Sequence, residues 1–383
     1  MSLQDQIQSI LSNKVENYLS NLKKDPHLTQ LAGDCSGKKI WRVTLDSPIE
    51  ISNTKERSLI LMEFPEDLPQ SHEHWTTSSL PKNTRQYDLF VEISLFLKEN
   101  HTRTPQVIHH QTEPNCVIQQ DLGSTTLFDQ IDGTRKCNDP VSLILIGRSY
   151  EEILSWIFNL QQLTKKIPHN HITKQRTLDT STFRLEFSEF LNNLPSSCNQ
   201  LEVDYEVMKT LYETDILEKI EEQPKRLTHR DLQSRNIMIH PENEPSPWII
   251  DVQDMCLGPE LYDLASLLYD PNAMLSSIER IRLAKLYWKR YCQTKYPLYP
   301  EYLNQLRITA VCRVIHALGR HGNIYQRTRR QQSLDMIFNA SSMLIQIMNH
   351  IERETPMRLS NYLTPILEYF IQFYENFSGN NEK

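Results

Sequence analysis

The chain has 383 residues, which allows two or three domains of ordinary size. Hydrophobic residues make up 39% and charged residues 23% of the chain, a balance typical of a globular protein and not of a disordered or fibrous one. The formal net charge of −7 provides no general basic field for a nucleic-acid backbone, so nucleic acid is not predicted as a partner.

The N-terminal sequence MSLQDQIQSI has neither a basic segment nor an apolar core, and no run of roughly 18 apolar residues occurs in the chain. The pattern therefore predicts no secretion signal, no membrane partner and a cytoplasmic location. The seven cysteines form an odd set without a CxxC pair. They are interpreted as reduced structural residues, and not as a disulfide framework or a zinc site.

The first third of the chain is predicted to form a small sheet with one main helix. Apolar residues at helical spacing predict an amphipathic helix near the N-terminus, and β-type runs predict two strand pairs around a second helix. A polar, proline-flanked insertion precedes that second helix, which must end before Pro105. In chain order these segments are a helix over 3–22, strands over 39–45 and 58–64, the insertion over 66–84, a helix around 89–97, and strands over 106–110 and 115–120.

From about residue 140 onward the pattern becomes mainly helical, which predicts a second and larger lobe. Two short β-type runs, at Ile237 to Ile239 and Trp248 to Ile250, are separated by the turn-forming sequence PENEPSP. The terminal sequence SGNNEK is expected to fray. The helical segments are predicted near 153–160, 183–191, 262–269, 301–318, 335–351 and 362–375.

Three oxygen-bearing side chains lie on loops beside these short β-type runs. The sequence LTHRDLQSRNIMIH places Asp231 five residues before Asn236, and WIIDVQD places Asp251 directly after a β-type run. Phosphoryl transfer requires a carboxylate beside the acceptor hydroxyl and oxygen ligands that hold magnesium on the nucleotide phosphates. Asp231 suits the first role, and Asn236 and Asp251 suit the second. The alternative is that all three only cap loops and turns.

The segments HRDLQSRN and IIDVQDMCLGPELYDLASLL resemble the aminoglycoside phosphotransferase and choline kinase superfamily, which has the protein-kinase-like fold. Within it the chain is most similar to bacterial cell-wall sugar kinases of the N-acetylmuramate/N-acetylglucosamine type, which show HRD, DxQD and GPxxYDLxSLL in this order. The resemblance implies an α+β, bilobal fold that binds ATP in the cleft. The implied domains are an N-terminal helix (1–24), a nucleotide-binding lobe (25–123), a catalytic and acceptor-binding lobe (124–375) and a flexible tail (376–383).

One departure from typical kinases concerns the lysine that a VAIK-type strand would place near Met62, where SLILMEFP has no basic residue. The resembling family also lacks this lysine and has basic residues in the preceding turn and strand. Basic residues there are therefore expected to contact the phosphates, and the segment VIQQDLGSTTL is expected to contact the adenine. The nucleotide-binding residues implied in this way are Ser36, Lys38, Lys39, Arg42, Gln120, Asp121 and Leu122.

Several further residues are given supporting roles. His229 and Arg230, assigned to the catalytic group, are expected to brace the loop that carries Asp231. Asp263 is expected in the first turn of a helix, where a carboxylate is favoured. The resemblance adds a role in tying that loop, and both roles can hold together. Asp254 is left open between assisting the metal or acceptor and capping a turn. Glu92 is interpreted as part of a solvated helix face, and the alternative is that it pairs with a phosphate-binding cation. The SHEHW loop with His72 and His74 is interpreted as a polar loop, because it lacks a third metal ligand.

The sequence RVIHALGRHG contains Arg313, His316 and Arg320, which are candidates for contact with an anionic acceptor such as a lactyl carboxylate. A solvated basic helix end is the alternative interpretation. The predicted function is an ATP- and Mg²⁺-dependent phosphotransferase acting on a hydroxyl of a small molecule, an amino sugar of cell-wall recycling. An aminoglycoside or choline kinase, and a nucleotide-binding pseudokinase with a regulatory role, remain as alternatives.

Overall fold

The computed structural model describes residues 28–31, 37–51, 54–65, 84–112, 115–137, 140–193, 204–239, 246–353 and 355–381. The predicted N-terminal helix, the SHEHW loop and Ser36 lie outside these residues. No helix within the described ranges combines the length and apolar character needed to cross a bilayer.

An antiparallel sheet of five strands, in the order β1-β2-β3-β5-β4, forms the first lobe. Its two predicted strand pairs are confirmed, although the first hairpin is longer than expected and β1 was not predicted. The hairpin register places Ile40 opposite Met62, and Met62 in turn lies opposite Val117. The strands are β1 (Leu28–Leu31), β2 (Lys39–Ile51), β3 (Thr54–Glu63), β4 (Val107–Thr112) and β5 (Asn115–Gln120).

Alternation along these strands gives the sheet two apolar faces. One face carries a small cluster that includes Trp41, Leu61 and Ile118. The other face, with Ile60 and Met62, packs against helix α1 (Gln86–Glu99) and joins the main core. The helix ends at Asn100, before Pro105 as predicted, and Asn100 Nδ2 donates to the carbonyl of Phe96 at 2.9 Å.

The second lobe is mostly helical, as predicted. Its longest helix, α9 (Tyr299–Thr328), packs closely on α4 (Thr180–Asn192), where a Cβ added at Gly319 would lie 3.1 Å from the backbone nitrogen of Phe190. The last helix continues to Asn381, beyond the point at which the tail was expected to begin. The helices are α2 (Leu127–Cys137), α3 (Pro140–Gln162), α4 (Thr180–Asn192), α5 (Tyr205–Tyr212), α6 (Glu218–Glu221), α7 (Tyr262–Leu268), α8 (Ser277–Tyr287), α9 (Tyr299–Thr328), α10 (Gln331–Glu352) and α11 (Ser360–Asn381).

Two small antiparallel strand pairs position the loops that carry the chemistry. β6 (Lys225–Thr228) pairs with β9 (Cys256–Pro259), and β7 (Ile237–Ile239) pairs with β8 (Pro247–Ile249). The loop 229–236 therefore joins β6 to β7, and the loop 250–255 joins β8 to β9. A Cβ added at Gly258 would lie 3.0 Å from Thr228 Oγ1, so a larger residue there would press against Thr228 where β6 and β9 approach each other.

Candidate active site

The loop 229–236 begins with a strained residue that Asp263 holds in place. Arg230 has φ of +76°, which is uncommon for a residue with a side chain. The Asp263 carboxylate, in the first turn of α7, accepts the backbone N–H of His229 at 2.7 Å and that of Arg230 at 3.0 Å. Burial raises the pKa of Asp263 to about 6, although the charge and N–H of His229 act in the opposite direction. Asp263 thus ties the loop to α7.

Asp231 lies at the centre of a network of donors. Arg313 donates to its Oδ1 at 2.8 Å, and Gln233 and Asn236 donate to its Oδ2 at 2.9 and 3.1 Å. Burial would raise the pKa of Asp231, but the positive charges of Arg313 and Arg320 outweigh this and lower it. The carboxylate is therefore ionised at neutral pH, the form in which it can accept a hydrogen bond or a proton from an acceptor hydroxyl.

Asp251 and Asn236 offer oxygen atoms to the same cleft. Asp251, with φ of +66°, accepts Lys38 Nζ at 3.0 Å and Gln253 Nε2 at 2.8 Å, both on Oδ1. Asn236 uses its Nδ2 on Asp231. Asp251 Oδ2 and Asn236 Oδ1 accept no hydrogen bond in the described part of the chain. These two oxygen atoms suit Mg²⁺ as ligands, since this ion is typically held by few protein oxygens together with water and phosphate.

No group of three or more His, Cys, Asp or Glu within the described ranges is arranged as a metal site.

A cleft of about 500 Å³ separates the sheet from the helical lobe. Asp231, Asn236 and Asp251 line one end of it, and the segment that joins the lobes lines another part. In that segment the backbone N–H of Leu122 has no hydrogen-bond partner among the described residues, as adenine recognition would require. The side chains of Gln120 and Asp121 are engaged within the sheet lobe, by Glu56 at 2.9 Å and by Ser58 at 2.6 Å respectively.

The structure separates the three basic residues expected to contact phosphate. Lys38 lines the cleft and is only 5% exposed. Lys39 is exposed, because alternation along the strand turns it to the opposite side. Arg42 forms a bidentate pair with Asp121, at 2.6 and 3.1 Å, and does not line the cleft. Lys38 is therefore the member of this set that stays a candidate for the phosphates.

His229 and Arg230 lie behind Asp231. The His229 imidazole Nε2 is 3.0 Å from the carbonyl of Ile250, so it joins the loops 229–236 and 250–255, and the residue is fully buried. The Arg230 guanidinium donates to Glu186 of α4 at 3.2 Å. Both placements suit bracing of the loop, whereas neither side chain lines the cleft.

The sequence did not indicate the role of Glu186. This carboxylate is 1% exposed and its Oε1 lies 3.0 Å from His316 Nδ1 as well as within reach of Arg230. Burial would raise its pKa, but His316 and Arg230 overcome this and hold the pKa of Glu186 at about 2. One signal was present in the sequence: Glu186 stands on the apolar face of α4, between Phe183 and Phe187, where a charged residue needs a buried partner.

Two other expected residues have local structural roles. Asp254 lies 3.9 Å from the guanidinium of Arg176, which is buried and donates to the carbonyls of Gln253 and Met255 at 2.7 and 2.6 Å. Asp254 lines neither the cleft nor the pocket described next. Glu92 accepts the backbone N–H of Ile172 at 2.8 Å, which caps a short turn of the second lobe. Asp254 is thus not brought to the proposed metal ligands or to the pocket, and Glu92 is not brought to a phosphate-binding cation.

A second pocket of about 190 Å³ adjoins Asp231 on the side of α9 and α10. Arg313, His316 and Arg320, the residues expected to contact the acceptor, all line it. Burial, reinforced by Arg320, lowers the pKa of His321 to about 4, so this lining residue is neutral at pH 7. The charged groups of the lining are four arginines, Arg235, Arg313, Arg320 and Arg330, against one carboxylate, Asp231.

The chain resembles curated kinases and solved kinase structures. It is 22% identical over 323 residues to an N-acetylmuramate/N-acetylglucosamine kinase of Neisseria meningitidis, covering 82% of this chain and 84% of that protein. It is 34% identical over 118 residues to the Pseudomonas aeruginosa protein of the same name, covering 30% of this chain and 33% of that protein. The structure matches choline kinase from Cryptosporidium parvum with a TM-score of 0.54 at 12% identity, covering 94% and 99% of the two chains.

The structural match confirms the predicted bilobal, protein-kinase-like fold, and the relatives confirm the predicted superfamily. The model of the phosphotransferase enzyme family APH matches residues 54–303, about two thirds of the chain, with the loops 229–236 and 250–255 inside the match. The chain therefore belongs to the phosphotransferase enzyme family and is a small-molecule kinase.

Proposed function

We propose that the protein transfers the γ-phosphoryl group of ATP, with Mg²⁺, to a hydroxyl of an amino sugar that carries a carboxylate, of the N-acetylmuramate class. The observation that carries the choice of acceptor is the excess of arginine over carboxylate in the pocket beside Asp231. Relatives named for N-acetylmuramate and N-acetylglucosamine support the same choice. A shared fold alone would not, since one fold serves many substrates.

The acceptor pocket combines cationic groups with an apolar surface. Of its four arginines, Arg313 is paired with Asp231, and the side chains of Arg235, Arg320 and Arg330 have no carboxylate partner among the described residues. Its apolar lining includes Ala317, Ile324 and Met336. An anionic sugar would gain from the arginines, and the carbon skeleton would cover the apolar part.

In the proposed reaction Asp231 accepts a hydrogen bond from the acceptor hydroxyl and orients its oxygen toward the γ-phosphorus. The hydroxyl oxygen forms a bond to this phosphorus while the bond to the bridging oxygen breaks, and the electron pair stays with ADP. Asp231 receives the hydroxyl proton. Mg²⁺, held by Asn236 and Asp251, would neutralise phosphate charge. Most of the acceleration then comes from positioning and charge stabilisation, and no covalent enzyme intermediate is needed.

A cationic acceptor is less well matched to this pocket. Choline and aminoglycosides carry positive charge, and three arginines without carboxylate partners would repel them. A pseudokinase is also less well supported, because Asp231, Asn236 and Asp251 converge on one cleft with oxygen atoms available.

The proposal is tested by measuring ADP release with N-acetylmuramate, N-acetylglucosamine, kanamycin and choline at equal concentration. We expect turnover with the sugars and the highest kcat/KM with N-acetylmuramate. Turnover confined to kanamycin or choline would refute the acceptor assignment. Absence of Mg²⁺-dependent ADP release with every acceptor would refute the reaction itself.

A further inference from the structure

The nucleotide cleft and the acceptor pocket are separate cavities that share part of their lining. Four residues line both: Asp231, Gln233, Arg235 and Arg320. A phosphoryl group that passes from a nucleotide in one cavity to a hydroxyl in the other must cross this junction. Asp231 is the proposed base, so the junction leaves two arginines beside the path of the transferred group.

Arg235 is held firmly at the junction. Its guanidinium lies over the ring of Phe128 at 3.8 Å, and its Nε donates to Asn272 Oδ1 at 2.8 Å. Asn272 is itself fixed, since its Nδ2 donates to Asp270 at 2.9 Å and to Gln233 at 3.1 Å. The two terminal nitrogens of Arg235 make no hydrogen bond in the described part of the chain, so they remain available to an anion.

Arg320 reaches the junction from α9. It follows Arg313 by seven residues and His316 by four, so the three side chains lie on one face of the helix. The Arg320 side chain makes no ion pair or hydrogen bond among the described residues, and Arg320 is exposed. Its charge nevertheless acts on Asp231, whose pKa it helps to lower.

Two other basic residues near the path are already paired. Lys38 is 3.0 Å from Asp251, and Arg313 is 2.8 Å from Asp231. Met62 also lines the cleft, and SLILMEFP has no basic residue there, where a VAIK-type strand would have lysine. Charge on the peripheral oxygens of a transferred phosphoryl group needs stabilisation by fixed cations, and guanidinium matches phosphate geometry with two parallel hydrogen bonds.

We propose that Arg235 and Arg320 are catalytic residues that contact the transferred phosphoryl group, one from the loop 229–236 and one from α9. They carry no proton and form no bond to phosphorus. They stabilise the negative charge on the oxygens of the phosphoryl group while the bond to the acceptor forms and the bond to ADP breaks. The proposal rests on the proposed ATP-dependent transfer, but not on the identity of the acceptor.

The test compares Arg320→Gln and Arg235→Gln with Arg327→Gln, a matched control that removes an exposed arginine from the last turn of α9, outside both cavities. We expect kcat to fall by about 10²-fold or more in the two junction variants, because loss of one preorganised donor to a transition-state oxygen typically has this effect. The fall should be similar with N-acetylmuramate and with N-acetylglucosamine, which lacks the carboxylate. Arg327→Gln should match wild type.

A binding measurement distinguishes contact with the transferred phosphoryl group from a role in acceptor binding or in folding. ADP with aluminium fluoride mimics the transferred group, and the ratio of its affinity to that of ADP alone should fall at least about tenfold in both junction variants. This ratio needs no sugar, so it can be read even where the acceptor assignment fails. An unchanged ratio, or a loss seen only as a higher KM for N-acetylmuramate, would overturn the proposal. Unfolding midpoints verify folding, and Arg320→Gln, which removes no hydrogen bond or ion pair among the described residues, keeps the test decisive.

Discussion

Replacing Glu186 by Gln removes the one buried carboxylate that Arg230 and His316 share. The pKa of Glu186 is held at about 2 instead of its ordinary 4.5. The two values differ by about 2.5, and each pKa unit corresponds to about 1.4 kcal/mol, so ionised Glu186 contributes about 3 kcal/mol to the free energy of unfolding. Because the folded pKa is the lower one, this contribution is complete above pH 4.5 and is lost as the pH falls toward 2.

The free energy of unfolding should be measured by urea titration of wild type and Glu186→Gln at several pH values from 7 to 3. We expect a difference of about 3 kcal/mol at pH 7 that narrows steadily below pH 4.5. Glu206→Gln is the control, since this glutamate is 83% exposed and pairs only across one helix turn. A difference between wild type and Glu186→Gln that is below about 1 kcal/mol at pH 7, or that is equally large at pH 3, would refute the reasoning.

Three further substitutions test the catalytic assignments. Asp231→Asn should lower kcat by at least about 10²-fold while ATP affinity is kept, since a positioned base contributes about 10²–10⁴; near-normal turnover would remove Asp231 from this role. Asp251→Ala should weaken nucleotide binding in the presence of Mg²⁺ but not in its absence, as measured by calorimetry, and equal affinities with Mg²⁺ would contradict the metal assignment. Lys38→Ala should raise the KM for ATP about tenfold, whereas Lys39→Ala, on the exposed side of the strand, should leave it unchanged; equal effects would place the phosphate cation elsewhere.

The sequence predicted the parts of the structure that depend on local pattern. The long β2–β3 hairpin and the helices α1, α9, α10 and α11 show periodicity over many residues, and the predicted segments fall on them. The strands β1, β6 and β9 were not predicted, because four residues are too few for alternation to stand out and none of the three is a continuous apolar run. The three-residue strand β7 was predicted because it is such a run. The approach of Asp231, Asn236 and Asp251 to one cleft was expected from their spacing and flanking strands.

Partners that are distant in sequence could not be read from pattern. Arg313 is 82 residues from Asp231, and Arg42 is 79 residues from Asp121. Which basic residue enters the cleft depends on a single position of strand register, which separates Lys38 from Lys39. A sequence motif indicates that a cation is present in the segment, but the three-dimensional arrangement decides which carboxylate it meets.

The segment that joins the two lobes makes one hydrogen bond to each lobe within three residues, Gly123 to Thr125. On the sheet side, Arg42 donates to the carbonyl of Gly123 at 2.8 Å. On the helical side, the carbonyl of Thr125 accepts the backbone N–H of Ile239 at 2.9 Å. Only the backbone torsions of Ser124 and Thr125 lie between these two carbonyl groups. Both hydrogen bonds can be kept while the connection rotates only if the rotation takes place at these two residues, and the backbone of Leu122, which lines the cleft, then keeps its place.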